Sequence, residues 1–221
     1  MFDIESYIRR FTLLLQETFG ERLVYVGLQG SYLRGEATEN SDMDLMVVID
    51  ALSVADLDSY RSVMLSLENA DRSCGFICSK ADLAVWNPLE VCHVLHSTKD
   101  YYGTLRDLIP AYTEESIRDF VKMSLGNLYH EICHRYIHAS ADRNAEALPY
   151  TYKGVFFILQ NLVYLTHGKF AATKAELLPL LNGIDRDVLE RAMSIGKGDT
   201  YDFADSFALL FTWCQETLQK V

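Results

Sequence analysis

The chain has little that would staple it covalently, anchor it in lipid or hold it to a polyanion. Its five cysteines, Cys74, Cys78, Cys92, Cys133 and Cys214, are odd in number and include no CxxC pair. That argues against a disulfide framework and for a reduced, cytoplasmic setting. No apolar run is long enough to span a bilayer. The opening residues, Met1 to Glu5, lack the basic and apolar regions of a signal peptide, so no membrane association is expected. Basic runs are missing too. The net charge is −11, whereas a binder of phosphate backbones carries a basic patch or stripe. Nucleic acid is therefore not an expected partner, and the acidic balance favours a cationic small molecule or a protein.

What is present is enough chain for a substantial core: 221 residues make one large domain or two small ones. Apolar residues Ile4, Ile8, Phe11, Leu15 and Phe19 recur at helical spacing, with Gly20 as a stop. Residues 23–28 read as a strand, 44–49 as a second and 73–78 as a third. Ser53 is a cap for a helix reaching about residue 68. This pattern predicts a small α/β domain over residues 1–109. Beyond Pro110 the chain reads as wholly helical. Thr113 caps a helix to about residue 139, residues 140–149 form a polar break ending at Pro149, and further helices cover 150–166 and 202–218. An all-α domain over 110–221 is expected, and a helical half this apolar could support a homodimer.

The chemistry concentrates in Gly30-Ser31-Tyr32-Leu33-Arg34-Gly35 and in Ser41-Asp42-Met43-Asp44-Leu45. Residues i and i+2 of a strand point to one face, so Asp42 and Asp44 project together while Met43 and Leu45 turn inward. Two hard oxygen ligands at one point suit Mg²⁺, which takes one or two carboxylates plus substrate phosphate oxygens. Gly30 lets backbone approach a phosphate, and Ser31 adds a hydroxyl donor. Arg34 could pair bidentately with phosphate or bridge to Glu36 or Glu39 on the surface.

This ordered motif resembles the signature of the nucleotidyltransferase superfamily, with its polymerase-β-like fold: glycine-serine, a gap, then Asp-x-Asp at a strand. The resemblance implies transfer of a nucleoside monophosphate from a triphosphate to a hydroxyl, with pyrophosphate released. It implies Asp42 and Asp44 as catalytic metal ligands and Gly30 and Ser31 as triphosphate contacts; Arg34, placed near the triphosphate by the turn, and Ser41 are further expected nucleotide contacts. The run from Val155 through Thr166-His167-Gly168-Lys169 to Lys174 is similar to the C-terminal domain of the aminoglycoside nucleotidyltransferases, especially those acting on streptomycin and spectinomycin. By position, Lys174 is the lysine that reaches the nucleotide in that branch. The expected cosubstrates are then ATP and Mg²⁺. The expected acceptor is a small cation such as an aminoglycoside, and the expected role is antibiotic resistance.

One departure stands out. The family's third carboxylate, on the next strand, aligns with Cys74, and a thiol is a poor Mg²⁺ ligand. Glu131, on the long helix of the second half, is the substitute base, because a kanamycin-type branch takes its base from that domain. Without a substitute, the chain would be a weak or inactive nucleotide-binding or regulatory protein. A protein-modifying nucleotidyltransferase of a toxin–antitoxin pair is a further reading. A rival chemistry is written into the same helix: His130-Glu131-Ile132-Cys133-His134 matches H-E-x-x-H, the zinc-hydrolase pattern, with His138 one turn on.

Overall fold

A computed structural model describes residues 2–221, and contacts divide the chain into two compact units, Met1–Tyr112 and Thr113–Val221.

The first unit opens with helix α1 (Ile4–Phe19), capped by the Asp3 carboxylate, which accepts from the Ser6 amide at 3.1 Å. The expected apolar stripe is buried: Ile8, Phe11 and Leu15 are fully enclosed. Strand β1 (Leu23–Leu28) leads into a single helical turn, α2 (Gly30–Arg34), and then to β2 (Met43–Ile49). A capping box between Ser53 and Asp56 starts α3 (Val54–Leu65). The Arg22 guanidinium grips the same Asp56 carboxylate through two bonds of 2.9 Å, tying the start of β1 to that helix. After α3 come β3 (Ser73–Ser79), short helix α4 (Lys80–Ala84), α5 (Pro88–His96) and β4 (Lys99–Tyr102).

The strands form one sheet in the order β3-β2-β1-β4. β1 runs antiparallel to β2 and β4, and β2 runs parallel to β3, so the sheet of this α/β unit is mixed. The fourth strand went unpredicted: Lys99 to Tyr102 is short and polar at its start, and it becomes a strand only by pairing with Val26 to Leu28. β2 is buried on both faces. Met43, Leu45, Val47 and Ile49 pack with α1, whereas Met46 and Val48 pack with Tyr25, Cys78 and Leu83. Asp44 shares the alternation of Met46 and Val48 and is the one charge within the strand.

The second unit contains α6 (Glu114–His138), α7 (Ala141–His167), α8 (Lys174–Leu177), α9 (Gly183–Gly196) and α10 (Phe203–Lys220). Val121, Leu125, Leu159, Val188, Leu210 and Trp213 are fully buried in its core. The expected polar break over 140–149 does not exist. α7 begins at Ala141 and carries Pro149 inside it. Proline removes a donor to the carbonyl four residues back, and that carbonyl, of Ala145, accepts instead from the Tyr201 hydroxyl at 3.1 Å. Only Ala139 and Ser140 separate the two long helices, and the Asn144 side-chain amide donates to the Arg135 carbonyl at 3.1 Å across that corner. Among the described residues no helix is long and apolar enough to cross a membrane.

Gly75, in mid-β3, has φ of +122°, and a Cβ there would lie 1.8 Å from the Leu45 carbonyl oxygen. Gly75→Ala is therefore expected to destabilise the first unit by about 3 kcal/mol, combining backbone strain with displacement of β3 from β2. Chemical denaturation measures it, and a loss under about 0.5 kcal/mol contradicts the close approach.

Candidate active site

The site is built where the two buried faces of β2 give way to its acidic start. Asp42 is exposed just before the strand, Met43 is buried, and Asp44 is half-buried. The Asp44 carbonyl accepts from the Gln29 amide at 2.8 Å, which sets the end of β1 beside the acidic strand and delivers the chain into α2. Gln29 is anchored in turn, donating to the Thr98 hydroxyl at 2.7 Å.

Gly30 follows with φ of +71°, and a Cβ there would fall 1.8 Å from Asp44 Oδ2. The expected glycine-serine turn is thus the first turn of a short helix. What glycine makes room for, within this chain, is the Asp44 carboxylate, a close approach only a residue without Cβ permits.

Neither carboxylate of the pair accepts a hydrogen bond from any described residue. The Asp44 carboxyl is pushed above its ordinary range, first by burial, then by the negative charge of Asp42, and is partly compensated by Arg34. A half-buried acid beside a second acid, with no donor to either, is a site short of positive charge. Two carboxylate groups with open coordination, completed by substrate oxygens, fit a hard divalent cation such as Mg²⁺. Among the described residues no group of three or more His, Cys, Asp or Glu is placed to hold a metal, so any ion here would need oxygens from the substrate or solvent.

Arg34, at the end of α2, forms an ion pair with Glu36, Nε to Oε2 3.0 Å. The surface alternative weighed for it is therefore present, while its charge still bears on Asp44. It also bears on His93 of α5, whose pKa is lowered to about 4 by burial first and by Arg34 second, leaving that imidazole neutral at pH 7. No sequence motif marked His93; only the packing of α5 brings it within reach of the guanidinium. Ser31 lies in the first turn of α2, and its hydroxyl makes no hydrogen bond among the described residues. Ser41 closes a turn with Thr38, its amide donating to the Thr38 carbonyl at 3.1 Å and its hydroxyl accepting from the Thr38 amide at 2.9 Å.

Cys74 pairs in register with Asp44, so the strand position next to the acidic pair does carry a thiol. It is exposed. Burial, the Asp42 charge and the Arg34 guanidinium account for the Asp44 shift without it.

Six of the sequence-derived residues, Gly30, Ser31, Arg34, Ser41, Asp42 and Asp44, thus gather in the first unit. Glu131 and Lys174 belong to the second. Glu131 lies half-exposed on α6 in an ion pair with Arg135, and Lys174 starts α8 with its ammonium 5.5 Å from the Phe156 ring centroid. His130, His134 and His138 step along the exposed side of α6, with ring centroids 5.9 and 4.7 Å apart. Among the described residues they gain no further ligand, so the zinc reading lacks a ligand set; the glutamate of that motif is paired with Arg135.

Comparison with known proteins identifies the family and the fold. The family model for the nucleotidyltransferase domain matches residues 8–101. The protein adenylyltransferase MntA of Thermococcus cleftensis is 38% identical over 69 residues, covering 29% of this chain and 68% of that protein. The chain belongs to the nucleotidyltransferase superfamily. Its overall fold is also that of a solved nucleotidyltransferase, the spectinomycin adenyltransferase AAD(9) from Enterococcus faecialis with ATP and spectinomycin, at a TM-score of 0.61 and 13% identity over 97% of this chain and 99% of that one. The family match contains the whole acidic cluster, whereas Glu131 and Lys174 lie outside it.

Because burial and Asp42 hold the Asp44 carboxyl above its ordinary value, that acid opposes folding once it ionises. Its effect is absent below the unfolded pKa and grows as pH rises through the raised folded pKa. Asp44→Asn is therefore expected to raise the apparent Tm of the metal-free protein at pH 7 and to leave it nearly unchanged at pH 3.5. A fall in Tm at pH 7 contradicts the electrostatic account. Gly30→Ala pushes on the same carboxylate and is expected to reduce nucleotidyl transfer about 100-fold, as displacement of a reacting group by an ångström does. Wild-type turnover in that variant contradicts it.

Proposed function

We propose that the protein is an adenylyltransferase that moves AMP from ATP, with Mg²⁺, to a hydroxyl of a small cationic acceptor such as an aminoglycoside. The observation that carries the reading is the pair Asp42 and Asp44, neither of which accepts a hydrogen bond from a described residue, with Gly30 pressed against the second carboxylate. In this reading Asp42 and Asp44 hold the metal. Mg²⁺, when bound, neutralises charge developing on the triphosphate and aligns the attack. Ser31 offers its free hydroxyl to a phosphate oxygen, and Ser41 fixes the turn that presents Asp42. Arg34 turns its guanidinium from Glu36 toward the leaving phosphates. Lys174 adds a second cation to the nucleotide from the helical unit. The acceptor oxygen attacks the α-phosphorus, the bond to the β-phosphate breaks, and pyrophosphate leaves.

The acceptor proton must go to a base. Glu131 is the proposed one, and its carboxylate must part from Arg135 to accept that proton. The cationic acceptor is supported by the acidic balance of the chain and by the fold shared, over nearly the full length of both chains, with a spectinomycin adenyltransferase. A protein acceptor has its own support, because the relative matched in sequence is named a protein adenylyltransferase.

Pyrophosphate release from ATP and Mg²⁺ over a panel of aminoglycosides tests the proposal. Release that requires one acceptor and disappears in Asp44→Asn is expected. AMP-labelled protein in a lysate, with no release on any small acceptor, moves the reading to a protein acceptor. Retained MgATP binding without transfer to either points to a degenerate site in which Cys74 marks the lost base. Glu131→Gln is expected to lower kcat about 100-fold or more, the low end of general-base contributions, with ATP binding kept. An unchanged kcat removes Glu131 from the mechanism.

A further inference from the structure

Arg72 ends the short 3₁₀ turn Ala70–Arg72 that feeds β3. The turn is launched from Asn69, whose φ is +58° and whose carbonyl accepts from the Arg72 amide at 3.0 Å. The Arg72 side chain then crosses to the acidic strand. Nε and one terminal nitrogen both donate to the Ser41 carbonyl, at 3.2 and 2.9 Å. The same terminal nitrogen donates to the Tyr32 hydroxyl on α2, and the guanidinium lies 5.6 Å from the Phe2 ring centroid. Among the described residues no carboxylate pairs with it. The cation is spent on a backbone carbonyl and a phenol.

That carbonyl belongs to the peptide joining Ser41 to Asp42. Holding it from outside, while Thr38 closes the turn from inside, fixes the plane of that peptide and so the direction in which the Asp42 carboxylate leaves the backbone. Tyr32 lies two residues beyond Gly30, which abuts Asp44. One guanidinium thus ties the turn before β3 to the Asp42 turn and to α2, the two neighbouring segments that carry Gly30, Ser31, Arg34, Ser41 and Asp42. A lysine could donate to the carbonyl but not through two nitrogens while also reaching the phenol.

We infer that Arg72 is a positioning residue that sets the Asp42 carboxylate for divalent-cation binding by clamping the Ser41–Asp42 peptide to α2. The inference rests on the reading of Asp42 and Asp44 as the metal pair. Its test is the Mn²⁺ concentration needed for half-maximal ATP binding, measured by calorimetry on the full chain, alongside hydrogen exchange at the Asp42 and Met43 amides without metal. Arg72→Met removes the guanidinium and keeps an unbranched side chain. It is expected to raise the Mn²⁺ midpoint about tenfold, the usual cost of removing a group that orients a metal ligand, and to speed exchange at both amides. Arg72→Lys recovers part of each effect. Tyr32→Phe, which removes one anchor and leaves the carbonyl clamp, gives a smaller shift in the same direction and serves if Arg72→Met does not fold. Asp44→Asn separates the two ideas. If it loses Mn²⁺-dependent ATP binding while Arg72→Met keeps the wild-type midpoint and exchange, the clamp is overturned and the metal pair stands. If Asp44→Asn binds as the wild type does, the metal pair falls, and the inference falls with it.

Discussion

A charged carboxylate within a strand buried on both faces is the constraint around which the first unit is arranged. The sheet needs β2 for its core, and five consecutive residues after Asp44 are apolar and fully enclosed. Asp44 therefore cannot turn away without dragging that register with it. Its environment has adapted instead. Gly30 gives up a side chain to leave it room, Gln29 pairs with its carbonyl, and Arg34 supplies a partial counter-charge. None of the described residues gives its carboxylate a hydrogen bond. A position this costly to the bare fold makes sense where a cation and a polyanionic substrate complete it.

The two cations nearest the motif divide the work differently. Arg34 already has a carboxylate in Glu36 and reaches Asp44 through space, so its charge is shared between two acids. Arg72 has no carboxylate among the described residues and is bound to backbone and phenol, an arrangement that holds geometry rather than waiting for a ligand. Nothing in the spacing of the sequence distinguishes the two arginines. The 3₁₀ turn before β3 does, because it brings Arg72 back over the Asp42 turn.

The histidine pattern on α6 shows why a motif needs its surroundings. Spacing alone puts His130 and His134 on one helical face, and that much holds in three dimensions. A zinc centre also needs a third ligand, and among the described residues none is placed there. α6 presents that face outward and gives Glu131 to Arg135. The same ion pair bears on the proposed adenylyl transfer, where it makes release of Glu131 a condition for base catalysis.

Much of the protein could be read from its residues alone because the signals were local. The apolar period of α1, the caps at Ser53 and Thr113 and the Asp-x-Asp alternation all depend on neighbours within a few residues. So does the mixed α/β unit followed by helices. Features that depended on distant partners were not legible. β4 exists because β1 offers it an edge. Pro149 reads as a break, yet it sits inside α7 because Tyr201, more than fifty residues on, bonds the carbonyl it strands. The burial of His93 and the clamp from Arg72 likewise come from packing. The sequence by itself determined which groups could do chemistry and on which face of a strand they lie. Only the tertiary structure decided how those groups are held and which are already spoken for, because a side chain's partners are set by the closing of the chain and not by its order.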